Sequence, residues 1–168
     1  MSVDAPTKTA VTCVDSSGRL HQVPTESLTW RPSAYGIVIK DNHLLVCQRR
    51  AGYDLPGGRL ILGETSDVAV IRETREETGI VVNQPRLVGL NNSFFKFIDS
   101  DDEPDVMHCI MLYYRCNYVG GDFTKTEPDG WEHLHHQTPA WYPLDQLSDM
   151  TVASSQDFRP LVEQALAL

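Results

Sequence analysis

The segment Gly57–Ile80, GGRLILGETSDVAVIRETREETGI, decides the fold, because a glycine-rich loop leads there into the most strongly helical pattern of the chain. The pattern predicts a helix over residues 66–78. Asp67 lies in its first turn, where the helix dipole stabilises an acid. Gly79 follows directly, at the usual place for a glycine that ends a helix. The segment is therefore predicted to be a loop followed by one well-bounded helix.

Three carboxylates share one face of this predicted helix. At about 100° per residue, Glu73, Glu76 and Glu77 project to the same side, and the opposite face is expected to pack inward. Like charges one turn apart repel each other unless a cation lies between them. Grouped oxygen ligands suit Mg²⁺ or Mn²⁺ rather than Zn²⁺. The helix alone is equally compatible with a solvated acidic surface, and the preceding loop changes that balance.

The loop and the helix together resemble the Nudix box, Gly-x5-Glu-x7-Arg-Glu-U-x-Glu-Glu-x-Gly-U, in which U is a bulky apolar residue. The matching residues are Gly58, Glu64, Arg72, Glu73, Glu76, Glu77, Gly79 and Ile80. Every spacing is that of the box. Thr74 stands where the family prefers an apolar residue, and its place on the inward face concerns packing rather than chemistry. The flanking stretches LPGG at 55–58 and WYPLDQL at 141–147 are also similar to the family.

The resemblance implies a metal site. Glu76 and Glu77 are expected to be the principal ligands, together with the backbone carbonyl of Gly57. Glu73 is expected to be a further ligand or the base that activates water. The implied cofactor is Mg²⁺ or Mn²⁺, which would neutralise the negative charge of a pyrophosphate.

Arg72 and Glu64 are expected to support these acids. By the resemblance, Arg72 orients the carboxylates through hydrogen bonds, and Glu64 supports that network. Arg72 also precedes Glu76 by four residues, a spacing that brings two side chains together on a helix surface.

A second source for the base lies further along the chain. The segment TEPDGWEHLHHQTPAW is similar to a loop that the family often places on the substrate side, where several members carry an additional acid. The candidates for catalysis or substrate binding are Glu127, Asp129 and Glu132. No motif fixes any of them, so the sequence leaves the base open between Glu73 and this loop.

Two other polar clusters are interpreted as solvated loops. The acidic stretch DSDDEPD at 99–105 fails the calcium-loop pattern, because Pro104 replaces the required glycine and Ile110 replaces the closing glutamate. The histidines of the second cluster are His133, His135 and His136. They lack the i,i+4 spacing of a helical zinc site.

Aromatic residues are candidates for stacking on a nucleobase, since every base offers a π-face. The candidates are Tyr53, Phe94, Phe95, Phe97 and Trp131. Alternating aromatic residues in a strand also fill protein cores, and we expect about half of these to be buried.

Markers that the family carries after the box leave the substrate open. The proline typical of ADP-ribose hydrolases is replaced by Phe95, and the tyrosine of dinucleoside-polyphosphate hydrolases is missing, with Phe97 near its place. The NADH-type and coenzyme-A-type signatures are also absent from the sequence. A nucleotide-type small molecule remains the expected partner.

The composition predicts one globular domain. The chain has 168 residues, of which 41% are hydrophobic and 22% charged, close to the averages of globular proteins. Residues 1–10 are predicted to be a flexible tail and residues 11–168 a single Nudix domain. The resemblance implies an α+β fold, the Nudix-type α/β/α sandwich with a mixed β-sheet covered by helices.

Charge and cysteine content narrow the class of protein further. Fourteen Lys and Arg residues against 23 Asp and Glu residues give a net charge of −9, which repels nucleic-acid backbones. No apolar run approaches the ~18 residues of a membrane span, and the first residues lack a secretory signal. The four cysteines form no Cys-x-x-Cys pair and are interpreted as reduced, buried thiols. We therefore expect a cytoplasmic protein that binds neither nucleic acid nor membranes.

The pattern outside the box predicts further elements. Strands are predicted at 10–14 and 19–23 as a hairpin, and at 34–40, 43–49, 80–82, 86–90, 94–97 and 106–119. The stretch 51–58 is predicted to be an ordered loop, residues 143–149 a short helix, and residues 156–168 an amphipathic helix.

The sequence thus predicts a hydrolase that uses Mg²⁺ or Mn²⁺ and water to cleave the phosphoanhydride of a nucleoside diphosphate derivative or a nucleoside triphosphate. The alternative is a catalytically silent Nudix-fold module that binds a nucleotide, but such modules usually lose acids of the box. An isoprenoid diphosphate isomerase would need a reactive cysteine, whereas Cys47 and Cys109 lie in strands that are predicted to be buried. The oligomeric state is left open, with a homodimer among the alternatives.

Overall fold

The computed structural model describes residues 9–15, 17–97, 106–126 and 138–168. The acidic stretch 99–105 lies outside the described residues, as do the candidates Glu127, Asp129, Trp131 and Glu132 and the three histidines of the same segment. Most of the predicted tail also lies outside them, and the first strand begins at Ala10.

Nine strands and two α-helices make up the regular structure of the described residues. The strands are β1 Ala10–Asp15, β2 Leu20–Pro24, β3 Thr29–Lys40, β4 His43–Arg49, β5 Gly52–Asp54, β6 Gly57–Arg59, β7 Ile80–Lys96, β8 Val106–Gly121 and β9 Thr138–Pro143. The helices are α1 Ser66–Thr78 and α2 Arg159–Leu166, and short 3₁₀ turns lie at Thr25–Ser27, Phe123–Lys125 and Leu144–Asp149.

The strands form one mixed sheet in the order β2-β1-β7-β8-β3-β4-β5, with β6 paired to β3 and β9 paired to β4. Two pairs are parallel, β1 with β7 and β3 with β8. The β3–β8 pair runs in continuous register from Thr29↔Met107 to Val38↔Cys116. The long strand β3 also pairs with β4 and β6, so it holds the two ends of the sheet together.

The two faces of β3 bury against different helices, as the period of a strand requires. Ala34 and Val38 belong to the core cluster that contains Ala69 and Val70 of α1. Ile37, on the opposite face, packs in a second cluster with residues of α2. One helix therefore covers each face, and the predicted α/β/α sandwich with a mixed sheet is confirmed.

The helix that carries the acids lies very close to the sheet. A side chain on Gly36 would place its Cβ 2.8 Å from the Oγ1 atom of Thr74, so only glycine lets α1 approach this closely. The Thr74 hydroxyl donates a hydrogen bond to the carbonyl of Val70, at 2.7 Å. The polar group that departs from the Nudix pattern is therefore satisfied within the core.

Helix α1 has the bounds that the sequence predicts. Gly79 adopts the left-handed conformation, with φ of 70°, and its N–H donates to the carbonyl of Arg75 at 2.8 Å. A residue with a Cβ atom would be strained in this left-handed conformation, so the helix ends at the glycine.

The prediction of a loop at 51–58 was wrong. Short strands lie on either side of Leu55 and Pro56, because β5 pairs with the end of β4 and β6 pairs with the middle of β3. These pairings involve residues distant in the sequence, which a local pattern cannot reveal.

Four further elements differ from the prediction in type or extent, and the first is β3, which begins at Thr29 rather than at residue 34. The predicted strands 80–82, 86–90 and 94–97 form one strand, β7, that follows β8 through three register shifts. The helix predicted at 143–149 is a 3₁₀ helix, and the amphipathic C-terminal helix is confined to Arg159–Leu166. The β1–β2 hairpin and the central strand β8 are confirmed.

The chemistry of the core agrees with the predicted state of the cysteines. The residues Cys13, Cys47, Cys109 and Cys116 are all free and buried.

In the described part of the chain, neither helix has the length and apolar character needed to cross a membrane.

Candidate active site

Strand β6 and the turn after it bring the glycine loop to the start of α1. Residues 57–59 pair with β3, and the chain then turns through residues 60–65 into the helix. The Glu64 carboxylate accepts a hydrogen bond of 2.6 Å from the backbone N–H of Ile61 and so closes this turn. The same side chain also faces Arg72, which joins the turn to the helix.

Arg72 contacts three carboxylates. Its Nη2 lies 2.6 Å from Oε1 of Glu64, and its Nη1 lies 2.9 Å from both Oε1 of Glu73 and Oε2 of Glu76. Its Nε also donates to Glu64 at 3.1 Å, so this pair is bidentate. The hydrogen bond from Arg72 lowers the pKa of Glu64, and the Glu64 hydrogen bond raises the pKa of Arg72. These contacts join Arg72 and the three carboxylates in one network.

Glu73 is buried, and its carboxylate occupies the space that a side chain at position 58 would fill. A Cβ on Gly58 would lie 2.7 Å from Oε1 and 2.8 Å from Oε2 of Glu73. The box therefore requires glycine at position 58 for a steric reason, because any residue with a Cβ atom would collide with the Glu73 carboxylate.

Glu77 is fixed from the other side of the loop. Its Oε2 accepts a hydrogen bond of 2.7 Å from the backbone N–H of Gly57, and the Cys47 thiol donates to the same atom at 3.7 Å. Gly57 has a φ of 152°, and a Cβ there would overlap the carbonyl oxygen of Ala34. The structure thus places Gly57 beside Glu77, while the role of its carbonyl as a ligand stays a prediction.

The residues present fit a divalent cation. Four carboxylates lie in or beside this network, Arg72 contacts three of them, and each of them offers oxygen atoms to a metal ion. The carboxylates are Glu64, Glu73, Glu76 and Glu77. Hard oxygen donors and an excess of negative charge are what Mg²⁺ and Mn²⁺ require. Among the described side chains, no three acids, histidines or cysteines are grouped closely enough to hold a metal ion in this arrangement. The Glu76 carboxylate is bound here by Arg72 instead.

Three of the four described aromatic candidates lie on the face of the sheet that α2 covers, whereas Phe94 packs against the separate cluster that contains Cys13 and Val106. Phe95 and Phe97 contact each other edge-on, with ring centroids 4.9 Å apart, and Tyr53 contacts Tyr142 in the same way. All three candidates pack partly buried against the core cluster on that face. The guanidinium of Arg31 lies over the Phe97 ring, 5.7 Å from its centroid. These residues contribute to the core, and their stacking on a base stays a prediction.

The sequence did not identify two charged residues near Glu77 as candidates for the site. Arg49 and Asp54 lie on the paired strands β4 and β5, and Asp54 stands opposite Cys47 in the register. Burial raises the pKa of Asp54, although the charge of Arg49 acts in the opposite direction. The sequence offered one indication, an aspartate between apolar residues in YDLP. Its position beside Cys47 depends on the pairing of β5 with β4, which the local sequence does not reveal.

Comparisons with known proteins agree with this geometry. A family model described as the NUDIX domain matches residues 30–162. An ADP-ribose pyrophosphatase of Methanocaldococcus jannaschii is 33% identical over 92 residues, which cover 52% of this chain and 50% of the relative. A NAD-capped RNA hydrolase, NudC, of Pseudomonas aeruginosa is 27% identical over 142 residues, which cover 81% of this chain and 43% of the relative. The chain thus spans about half the length of these curated relatives.

A solved structure supports the fold independently. The MutT protein of Bacillus halodurans superposes with a TM-score of 0.60 and 22% sequence identity, covering 79% of this chain and 80% of that protein. At this level of identity the likeness concerns the fold alone. Because the family model spans well over half of the sequence, the chain belongs to the Nudix family, as the segment Gly57–Ile80 predicts.

Proposed function

We propose that this protein is a divalent-metal-dependent hydrolase that cleaves the phosphoanhydride of a nucleoside diphosphate derivative or a nucleoside triphosphate. The observation that carries the proposal is the network around Arg72, in which one guanidinium contacts three carboxylates beside a glycine that leaves room for Glu73. A surface helix without function has no need to keep such an excess of like charge in a partly buried place.

Each residue of the network has a task in this reaction. Glu76, Glu77 and the carbonyl of Gly57 would hold Mg²⁺ or Mn²⁺. The ion supplies charge neutralisation of the diphosphate oxygens and makes bound water more acidic. Glu73 takes the proton of the attacking water, because its place on a rigid helix orients it better than an acid on a loop.

The supporting residues keep these acids in position. Arg72 orients Glu73 and Glu76, and Glu64 anchors Arg72 to the turn before the helix. The backbone N–H of Gly57 fixes the carboxylate of Glu77. Fixed groups need less rearrangement in the transition state, which is the main contribution that a protein makes to such a reaction.

The relatives support diphosphate chemistry but leave the substrate open. One is named an ADP-ribose pyrophosphatase and the other a NAD-capped RNA hydrolase. This chain has Phe95 where the ADP-ribose marker places a proline. Its net charge of −9 argues against an RNA substrate, and a small nucleotide is the proposed partner.

A substrate panel tests the proposal. The panel contains ADP-ribose, NADH, dinucleoside polyphosphates, nucleoside triphosphates and a NAD-capped RNA, with phosphate or nucleotide release measured in Mg²⁺ and in Mn²⁺. Release from at least one small nucleotide is expected, and Glu76→Gln should lower kcat by on the order of 10²- to 10⁴-fold, because it removes a ligand of the ion. Tight nucleotide binding without any release would instead favour the silent module, and cleavage of the capped RNA alone would refute the proposed substrate class.

A further inference from the structure

Helix α1 covers only part of its face of the sheet. The register aligns residues of β7, β8 and β3 in three rows, which are Phe94–His108–Trp30, Asn92–Ile110–Pro32 and Leu90–Leu112–Ala34. Ala34, in the last row, is fully buried in the cluster that α1 covers. Leu90 in the same row is 53% exposed, and Trp30, two rows away, is 65% exposed. Part of this face of the sheet is therefore accessible to solvent.

The burial pattern along β8 marks the limit of the covered part. The side chains that face α2 are buried without interruption, and they are Met107, Cys109, Met111 and Tyr113. On the opposite side, Tyr114 and Cys116 are buried in the cluster with α1. The preceding side chains on that side are only half-buried, and they are His108, Ile110 and Leu112. The strand is thus covered on both sides at one end and on one side at the other.

The uncovered part carries no carboxylate, ammonium or guanidinium group. We call it the open face, and its eight residues are Trp30, Pro32, Leu90, Asn92, Phe94, His108, Ile110 and Leu112. None of the eight is Asp, Glu, Lys or Arg, although 22% of the chain is charged. The side of a sheet that meets water is ordinarily polar. A contiguous apolar surface in that place indicates a protein partner.

Three aromatic rings of the open face support one another. The His108 imidazole stacks on the Trp30 indole with ring centroids 4.4 Å apart, and it contacts the Phe94 ring at 4.5 Å. These separations match the spacing of neighbouring strands, about 4.8 Å, so the rings stand in a row across three strands. A side chain that is already held in place loses little entropy on binding, which makes Trp30 suitable as the anchor of an interface.

We propose that the open face binds the same face of a second copy of this chain, so that the protein forms a dimer with twofold symmetry. Each copy then supplies an identical apolar surface, as a twofold interface requires. Sheets pack face to face at about 10 Å with their side chains interdigitated, and α1 leaves this part of the sheet free for such a contact. The inference goes beyond the proposed function, because it concerns assembly and involves no substrate.

Charge favours a second copy as the occupant. Each chain carries a net charge of −9, so two copies repel each other wherever their acidic surfaces meet. Contact through the open face brings no carboxylate or basic side chain into the interface, and so it avoids the cost of burying unpaired charge. A strongly basic partner would instead need carboxylates here to pair with, and the eight residues of the open face offer none.

The size of the open face also suits a dimer. Trp30, Leu90 and Asn92 are exposed, and the other five residues are half-buried. Since large side chains offer roughly 150–250 Å² each, the open face amounts to on the order of 500 Å² per copy. Two copies would bury about 1,000 Å², which is where specific interfaces begin, so we expect a dimer that dissociates at micromolar concentrations.

Sedimentation velocity over about 1–200 µM protein, without substrate, tests the assembly. The wild type should pass from monomer to dimer within this range. Added sodium sulfate should strengthen the association, because salt screens the repulsion between the two chains and sulfate strengthens apolar contacts. A wild type that stays monomeric over the whole range overturns the proposal. Association that weakens with salt also overturns it, since charged contacts elsewhere would then hold the copies together, and so does assembly beyond a dimer, which a closed twofold contact excludes.

Charged substitutions locate the contact. Trp30→Glu and Leu90→Glu should each raise the dimer Kd by roughly tenfold or more, because the new carboxylates would be buried in the interface without partners. The matched control is Leu20→Glu, which adds the same charge. Leu20 is 72% exposed but lies on the edge strand β2, outside the open face. The Kd of this control should stay within about threefold of the wild type, the small change expected of one added surface charge.

Thermal melts check that the variants remain folded. Both substituted residues are exposed, so Tm should change little. Should either variant fail to fold, Asn92→Lys carries the decision, since it replaces one exposed polar residue by another and still adds a charge to the middle row of the open face. The proposal is overturned if folded variants of the open face dimerise as well as the wild type, or if Leu20→Glu weakens the dimer as much as they do. In either case the copies meet through another surface.

Discussion

Replacement of Gly58 by alanine tests whether the position of the Glu73 carboxylate controls hydrolysis. A Cβ at position 58 would lie 2.7–2.8 Å from the carboxylate atoms of Glu73, whereas ordinary contacts begin at 3.4 Å. The carboxylate must therefore move by roughly 0.6–0.7 Å to restore an ordinary separation. Gly58 does not have a positive φ, so alanine is compatible with the backbone itself.

The expected loss follows from this displacement. A misplacement of about 1 Å costs a reaction on the order of 10²-fold, so kcat of Gly58→Ala should fall roughly 10- to 100-fold. Stability should change by less than about 2 kcal/mol, because the cost of crowding is offset in part by the lower entropy of the unfolded alanine chain. Activity and stability should thus respond very differently to one added methyl group.

The assay compares single-turnover rates and thermal melts of Gly58→Ala with those of Gly120→Ala. Gly120 is a suitable control, because a Cβ there would meet no atom within 4 Å. The control should retain its full rate. A Gly58→Ala rate within twofold of the control would show that the location of the Glu73 carboxylate does not limit the reaction, and it would remove Glu73 from the catalytic role.

The remaining predictions concern the base, the cation and acid stability. Glu73→Gln should abolish turnover and preserve substrate binding, whereas Glu132→Gln, which lies outside the described residues, should be near normal. Single-turnover rates across pH in saturating metal check this, and the reverse order of severity would assign the base to the segment that contains Glu132. Millimolar Mg²⁺ or Mn²⁺ should raise Tm relative to chelator, because the ion binds only the folded acids; an unchanged melt would indicate a solvated acidic surface. Hydrogen bonds from Ser17 and His21 hold the pKa of Asp15 well below its usual range. The stability that this adds is present above about pH 4 and lost as pH falls through the folded pKa, so Asp15→Asn should flatten the acid side of a Tm–pH curve.

Local patterns in the sequence sufficed where the structure depends on neighbouring residues. The bounds of α1 followed from its periodicity and from Gly79, whose left-handed conformation is a property of one residue. The contact between Arg72 and Glu76 also lies within one turn of the helix. The ends of a helix and its i,i+4 contacts depend on residues a few positions apart, so a local sequence pattern predicts them well.

Long-range pairing set the limit of the prediction. The stretch around Asp54 becomes strand only through its pairing with β4, and the single strand β7 is kept continuous by β8 across its register shifts. The ion pair between Arg49 and Asp54 depends on that same pairing, which is why sequence reasoning missed it. The roles of the box acids, by contrast, were inferred from resemblance, and they remain predictions that the variants above can test.

The arrangement of charge gives a physical reason to expect function at this site. Glu73 and Glu77 are only 6% and 5% exposed, although burying a carboxylate is unfavourable unless its charge is compensated. Arg72 contacts three of the four acids, and the charge of Arg49 acts on the fourth, Glu77, so the four carboxylates outnumber these two guanidinium groups. Replacing Glu73 or Glu76 with a neutral residue would reduce that repulsion and still leave Arg72 two carboxylate partners, so stability alone does not explain why the chain has both. The acids are therefore matched to added positive charge, and Gly58 leaves the room that the Glu73 carboxylate needs beside it.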